Sequence, residues 1–237
     1  MNSHLDTAIL IPTLNEKDNL STLVPGIFEL MPEVSILICD DKSTDGTQEL
    51  ITRLQEKFSK LFILARTQNL GYGQACIEGM KWLLIKDYKK IVTLDADYSH
   101  DYRVVSELLN KLGETDVVVG SRYVSNGKIE NWNLIRRLLS RFANWYVRFI
   151  LHFSIKDVTS GFNAYRVASI AKIIESGIKS NGYAFLVEFK YCLMKTGASF
   201  SEYPITFKER RIGKSKMSNK VIWESIWLPW RIKFNQS

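Results

Sequence analysis

Ile91-Val92-Thr93-Leu94 runs directly into Asp95-Ala96-Asp97. A short, uninterrupted apolar and β-branched run reads as a strand covered on both faces, because a half-exposed strand would alternate. The two carboxylates arrive where that strand ends. The same grammar recurs on either side. Ala8-Ile9-Leu10-Ile11 leads into Pro12-Thr13-Leu14-Asn15-Glu16, and Ser35-Ile36-Leu37-Ile38 leads through Cys39 into Asp40-Asp41-Lys42-Ser43-Thr44-Asp45-Gly46-Thr47. Val117-Val118-Val119 leads into Gly120-Ser121-Arg122, and Phe62-Ile63-Leu64 is a further short run. Helical patterns fill the intervals around 17–30, 47–58, 74–86 and 102–112. This alternation predicts right-handed β-α-β units in an α/β fold, an open, mostly parallel twisted sheet covered by helices on both faces. Ligands of such sheets bind beyond the carboxyl ends of the strands, so the polar residues there are the candidate site.

Carboxylates from several segments are expected at that one edge, where they would repel one another unless a cation intervened. Oxygen ligands select Mg²⁺ or Mn²⁺, and magnesium takes one or two carboxylates while leaving positions for a diphosphate. Each piece alone has a plainer reading. Asp-x-Asp is common by chance, and Asp45-Gly46-Thr47 suits a turn and helix start. Gly71-Tyr72-Gly73 opens like a dinucleotide fingerprint, but Cys76 stands where the third glycine belongs.

After Arg122 the rhythm changes. Residues 132–151 read as one amphipathic helix, followed by a Gly/Ser-containing loop at 159–163, two shorter helical segments and a strand over 199–207. Residues 208–220 form a basic loop, and 220–237 a basic, Trp-rich C-terminal tail, so the expected division is one domain over 1–219 plus that tail. The chain has 237 residues, 46% hydrophobic and 24% charged, which suffices for a substantial core. Its net charge of +7 favours polyanionic partners. Three separated cysteines, with no Cys-x-x-Cys, support neither a disulfide framework nor a structural zinc site and point to a reducing compartment. No leader pattern or transmembrane run is seen, so a soluble or peripheral, cytoplasmic protein is expected.

The order of these segments resembles family 2 glycosyltransferases of the GT-A fold, and within them the dolichol-phosphate (polyprenyl-phosphate) mannose synthases. The likeness covers roughly residues 7–220. It is carried by Pro12 to Glu16, Asp40-Asp41 with Asp45-Gly46-Thr47, Gly71-Tyr72-Gly73, Asp95 to His100 and Gly120 to Tyr123. Downstream it is carried by Arg136-Arg137, Ser140 to Asn144, Asp157 to Phe162, Gly182 to Phe185 and Arg210 to Lys216. The resemblance implies that Pro12, Leu14, Glu16, Cys39 and Asp41 line a nucleoside pocket. Asp95, Ala96 and Asp97 would meet the diphosphate and metal, with Ser99 as a further metal ligand. Arg122, Arg136, Arg210 and Lys216 would hold phosphates of donor or acceptor, and Asp97, Arg122 and Arg210 carry catalysis. The implied reaction moves a hexose, foremost mannose from GDP-mannose, onto polyprenyl phosphate in one inverting displacement. Leu14 replaces the usual tyrosine and Lys42 the usual glycine, which keeps a UDP-sugar open as the donor. A phosphate acceptor would need no general base. For a hydroxyl acceptor, Glu188 or Asp157 would be the candidates.

Along 134–151, Ile135, Leu138, Phe142, Trp145, Tyr146 and Phe149 share one face, and Arg137, Arg141 and Arg148 the other. One reading packs the apolar face on the core. The other lays it in a membrane surface, together with Trp223, Trp227 and Trp230 and their flanking Lys220, Arg231 and Lys233. A membrane-anchoring partner subunit is the further expectation, whereas a nucleic-acid partner is not expected: no binding motif is present and a carboxylate cluster would repel phosphates.

Overall fold

The apolar runs form a sheet whose order places the site. The computed structural model describes residues 4–178, 180, 182, 184–209 and 227–234. Its strands are β1 (Thr7–Thr13), β2 (Ser35–Asp40), β3 (Leu61–Ala65), β4 (Lys90–Thr93), β5 (Val117–Ser121), β6 (Lys128–Ile129), β7 (Asn163–Arg166), β8 (Phe200–Pro204) and β9 (Thr206–Phe207). Its helices are α1 (Lys17–Leu30), α2 (Thr47–Gln55), α3 (Tyr72–Leu84), α4 (Val105–Lys111), α5 (Leu134–Leu151), α6 (Val167–Ser176) and α7 (Ala184–Lys195). The main sheet runs β3-β2-β1-β4-β7-β5-β8, and β6 pairs with β9 in a small second sheet.

Every residue of β1 is buried, which explains why its sequence is apolar without alternation. Ala8 and Leu10 face a cluster with Cys76 and Met80 of α3, Ile170 of α6 and Phe189 of α7. Ile9 and Ile11 face the other layer, with Leu20 and Leu23 of α1, Ile51 of α2 and Leu108 of α4. The expected double cover is therefore present. β1 pairs in parallel with β2 on one side and β4 on the other. The chain steps outward through β2 and β3 and then returns to the far side of β1. A crevice for ligands opens where strand order reverses in this way.

β7 departs from the expected pattern. Its four residues lie antiparallel between β4 and β5, with Thr93 opposite Asn163. The Gly/Ser loop that precedes it is thereby carried to the same edge as Asp95. Thr93 Oγ1 donates to Gly161 O at 2.6 Å, and the Gly120 N–H donates to Phe162 O at 2.8 Å, fixing the loop there.

The amphipathic helix forms as α5, but it does not bury its aromatic side. Asn144, Val147, Ile150 and Leu151 face inward. Leu134, Ile135, Leu138, Leu139, Phe142, Trp145 and Phe149 are each more than half exposed. Packing of that face on the core is thus excluded in this structure. Tyr146 turns partly inward and accepts from Trp230 Nε1 at 3.0 Å. Residues 227–234 are helical beside α5, with Leu228 and Ile232 buried in the core and Trp227 and Phe234 outward. Trp223 and the expected division at 219/220 lie outside the described residues. Among the described residues no helix is long and apolar enough to cross a membrane.

Candidate active site

The end of β2 carries two carboxylates whose surroundings differ from the sequence expectation. Asp41 is buried and forms an ion pair with the buried guanidinium of Arg66, which also reaches Glu78 at 2.9 Å. Its oxygens accept further from the N–H groups of Leu70 at 3.2 Å and Gly71 at 2.8 Å. Gly71 takes φ +88°, a backbone region open to glycine, and this turn aims its N–H at the carboxylate. Asp40 accepts from the Ser43 N–H and hydroxyl and from Gln48 Nε2 at 2.7 Å. Asp45 ties two helix starts together, accepting from Lys17 N and from Thr47 N and Oγ1. Convergence of all these acids on one cation is therefore corrected: protein donors already compensate the acids after β2.

The end of β4 is different. Asp95 keeps a side chain about one-third exposed, at 30%. Asp97 is nearly buried, and its Oδ1 accepts from the Ser99 N–H at 3.0 Å. Ala96 and Ser99 are buried around it. His100 stacks on Phe162 at 5.1 Å and accepts from the Asp95 N–H through Nδ1 at 3.4 Å. Burial pulls its pKa down to about 4, with Asp97 opposing the shift and Arg122 adding to it. A neutral imidazole therefore floors the turn. Beside Asp95 lies Gly161, where a Cβ would stand 2.9 Å from Tyr72 Oη and 3.5 Å from Asp95 Oδ1. Only glycine permits this close approach of the 161 backbone to Tyr72 and Asp95. Two carboxylates at one strand end suit a hard divalent cation, which could take its other positions from phosphate oxygens. Among the described residues no cluster of three or more His, Cys, Asp or Glu could hold a metal alone.

Arg122 follows β5 and turns into the protein. Its Nε and Nη2 fork onto Asp157 at 2.7 Å each, its N–H adds a third bond, and Nη2 also reaches Thr159 Oγ1 at 2.8 Å. Nη1 stays out of the fork, and the guanidinium lies over Phe207 and Trp132. Burial alone would raise the Asp157 pKa, but the charge and hydrogen bonds of Arg122 hold it below its ordinary value. Asp157 is wholly buried, so it presents no oxygen to a hydroxyl acceptor. Glu188 is also buried and accepts from Ser180 N at 2.8 Å.

Arg136 lies 4.0 Å over the Trp132 ring and pairs with Glu209 at 2.8 Å. Glu209 directly precedes residues 210–226, so Arg210 and Lys216 lie outside the described residues. Pro12 is buried in β1, while Leu14 and Glu16 are half-buried after it. Glu16 accepts from Asn19 Nδ2 at 2.7 Å. Cys39, in β2, is fully buried in the core shared with α3, and burial pushes its thiol up to about 12. Sequence reasoning missed Arg66, Thr159 and Lys190 as supports of this edge. Arg66 and Lys190 carried no sequence signal; Thr159 lay inside the 157–162 motif without a role assigned to it.

A mostly parallel open sheet with acids beyond a strand at its switch point marks a ligand site of an α/β protein. The sequence profile described as glycosyl transferase family 2 matches residues 8–174. The chain belongs to that family and is a glycosyltransferase. Polyprenol monophosphomannose synthase of Mycolicibacterium smegmatis is 39% identical over 222 residues, covering 93% of this chain and 84% of the relative. Undecaprenyl-phosphate mannosyltransferase of Micrococcus luteus is 35% identical over 217 residues, covering 92% and 89%. Glucosyl-3-phosphoglycerate synthase of Mycobacterium tuberculosis, solved with Mn²⁺, UDP and glucosyl-3-phosphoglycerate, superposes with a TM-score of 0.68 at 15% identity, covering 97% of this chain and 79% of that one. That likeness shows the shared GT-A fold.

Proposed function

We propose that this glycosyltransferase moves mannose from GDP-mannose onto the phosphate of a polyprenyl phosphate at a membrane surface. The observation that carries the reading is the part-exposed Asp95, with Asp97 two residues on, at the switch point of a chain aligned over nine-tenths of its length with two mannosyl transferases named for lipid phosphates. Asp95 and Asp97, with Ser99 nearby, would hold Mg²⁺ or Mn²⁺, which supplies charge neutralisation for the nucleoside diphosphate that leaves. Leu14 and Glu16, half-buried beyond β1, would form the nucleoside end of the site, while Pro12, Cys39 and Asp41 are buried and would support it from behind. Arg136, Arg210 and Lys216 supply cations for donor and acceptor phosphates, and Arg122 fixes the 157–161 loop beside Asp95 while adding its charge.

The acceptor oxygen of a phosphate monoester is already anionic, so it attacks the anomeric carbon without losing a proton. The glycosidic oxygen leaves with the diphosphate, and configuration inverts. A carboxylate as inaccessible as Asp157 agrees with a reaction that draws no proton there. The exposed aromatic face of α5, with Trp227 and Phe234, would lie at headgroup depth on the cytoplasmic face, with or without an anchoring partner subunit.

Labelled GDP-mannose, UDP-glucose and UDP-N-acetylglucosamine, each supplied with Mg²⁺ or Mn²⁺ and with either polyprenyl phosphate or free polyprenol, test this directly. Thin-layer separation should show lipid label from GDP-mannose with the phosphate lipid alone. Label in the free alcohol, or from a UDP-sugar in preference, would refute the proposal.

A further inference from the structure

A cavity of about 200 Å³ opens beside α5, lined by Tyr123, Arg141, Asn144, Trp145, Arg148 and Lys156. None of the residues assigned above to donor or metal lines it. Two of its walls have their hydrogen bonds satisfied. Asn144 Nδ2 donates to Ser140 O at 3.0 Å and Thr159 Oγ1 at 3.1 Å, and its Oδ1 accepts from Val158 N at 2.9 Å. Tyr123 Oη donates to Ser140 Oγ at 2.6 Å.

Of the three cations, Arg141 and Lys156 are exposed and Arg148 is half-buried. Among the described residues, Arg141, Arg148 and Lys156 make no ion pair. Arg148 Nε is buried and has no hydrogen-bond partner. Glu202 reaches the same loop, but its carboxylate accepts from the backbone N–H groups of Lys156 at 2.8 Å and Asp157 at 3.0 Å. A buried guanidinium donor left unmatched is destabilising, and three positive charges around one cavity repel. An anion relieves both. Two guanidinium groups and an ammonium suit the oxygens of a phosphate.

Trp145 belongs to this cavity and also to the exposed apolar face of α5. When that face enters lipid, the cavity mouth comes to lie among headgroups, where cations beside tryptophan are favoured. We propose that the cavity seats the phosphate of an anionic membrane lipid, a bystander that is neither donor nor acceptor. The proposal rests on the membrane-surface reading above. It holds the protein in one rotational setting about α5, which hydrophobic contact alone does not fix.

The test uses the full chain with phosphatidylcholine vesicles, with and without a minority of phosphatidylglycerol. The parent should bind the anionic vesicles roughly a hundredfold more tightly, as expected for three cations at an anionic surface. The Arg141→Gln/Arg148→Gln/Lys156→Gln variant should lose most of that preference while still binding pure phosphatidylcholine. An Arg53→Gln/Lys57→Gln/Lys81→Gln control, equal in charge change, should keep it. Equal preference in both variants overturns the cavity assignment but leaves the membrane reading standing; failure of the parent to bind any vesicle overturns both. A raised KM for polyprenyl phosphate in the cavity variant, assayed in neutral detergent without other anionic lipid, would make this the acceptor's site and refute the bystander lipid.

Discussion

Lys190 of α7 places its amino group in the protein interior, where it donates to Ser160 O at 2.8 Å. Burial pulls its pKa down to about 7, against the attraction of Asp157. Above that value the folded chain has released a proton that the unfolded chain still holds, up to the ordinary lysine range. The unfolded state then binds more protons, so stability rises with pH in this window. The urea midpoint of the protein should climb between about pH 7 and 8.5, and Lys190→Met should remove the climb. An equal slope in parent and variant would place the proton elsewhere. Residue identities such as Asp95, Asp97 and Arg122 were legible in the sequence because they follow strands. Their neighbours were not: Arg122 meets Asp157 across 35 positions and Arg66 meets Asp41 across 25, separations that no local pattern encodes. Lys42 gives a case in between. It sits at φ +65°, which explains why glycine suits that position, although the sequence alone showed only an unusual lysine.

At the level of elements, β1, β2, β4 and β5 announced themselves because both faces of each are buried and the apolar run is unbroken. β7 did not. Asn163-Ala164-Tyr165-Arg166 is short and mixed, and its place is fixed by pairing with β4 and β5 rather than by its own composition. The periodicity of α5 was legible too, but periodicity tells which residues share a face and not what covers that face. Apart from Tyr146, which meets Trp230, the structure leaves that face more than half exposed. Phe142→Ser/Phe149→Ser should therefore leave the melting temperature nearly unchanged, since both rings are more than half exposed. The same variant should weaken binding to phosphatidylcholine vesicles by more than about tenfold, from the apolar transfer lost. A large drop in melting temperature with vesicle binding intact would instead mean that the face packs within the protein.

Across the whole molecule, the sheet brings three separately encoded segments to one edge: the turn after β4, the loop before β7 and the end of β5. Thr93, Gly161 and Gly120 are joined there by backbone and hydroxyl bonds. The acids after β2 stand on the same edge but are neutralised from within, which leaves the turn after β4, with Asp95 and Asp97, as the candidate carboxylate pair. The net charge of +7 is carried elsewhere, in part around α5, where it suits an anionic surface.

The claim on which this rests is that Asp95 and Asp97 grip the donor diphosphate through a divalent cation. Electron paramagnetic resonance of free Mn²⁺ reads it without turnover. Adding GDP and protein should deplete the free-ion signal beyond what GDP alone achieves. Asp95→Asn/Asp97→Asn protein, folded as judged by its melting curve, should add no such depletion. If the variant depletes the signal as fully as the parent, the cation is held elsewhere and the assignment of this edge is wrong.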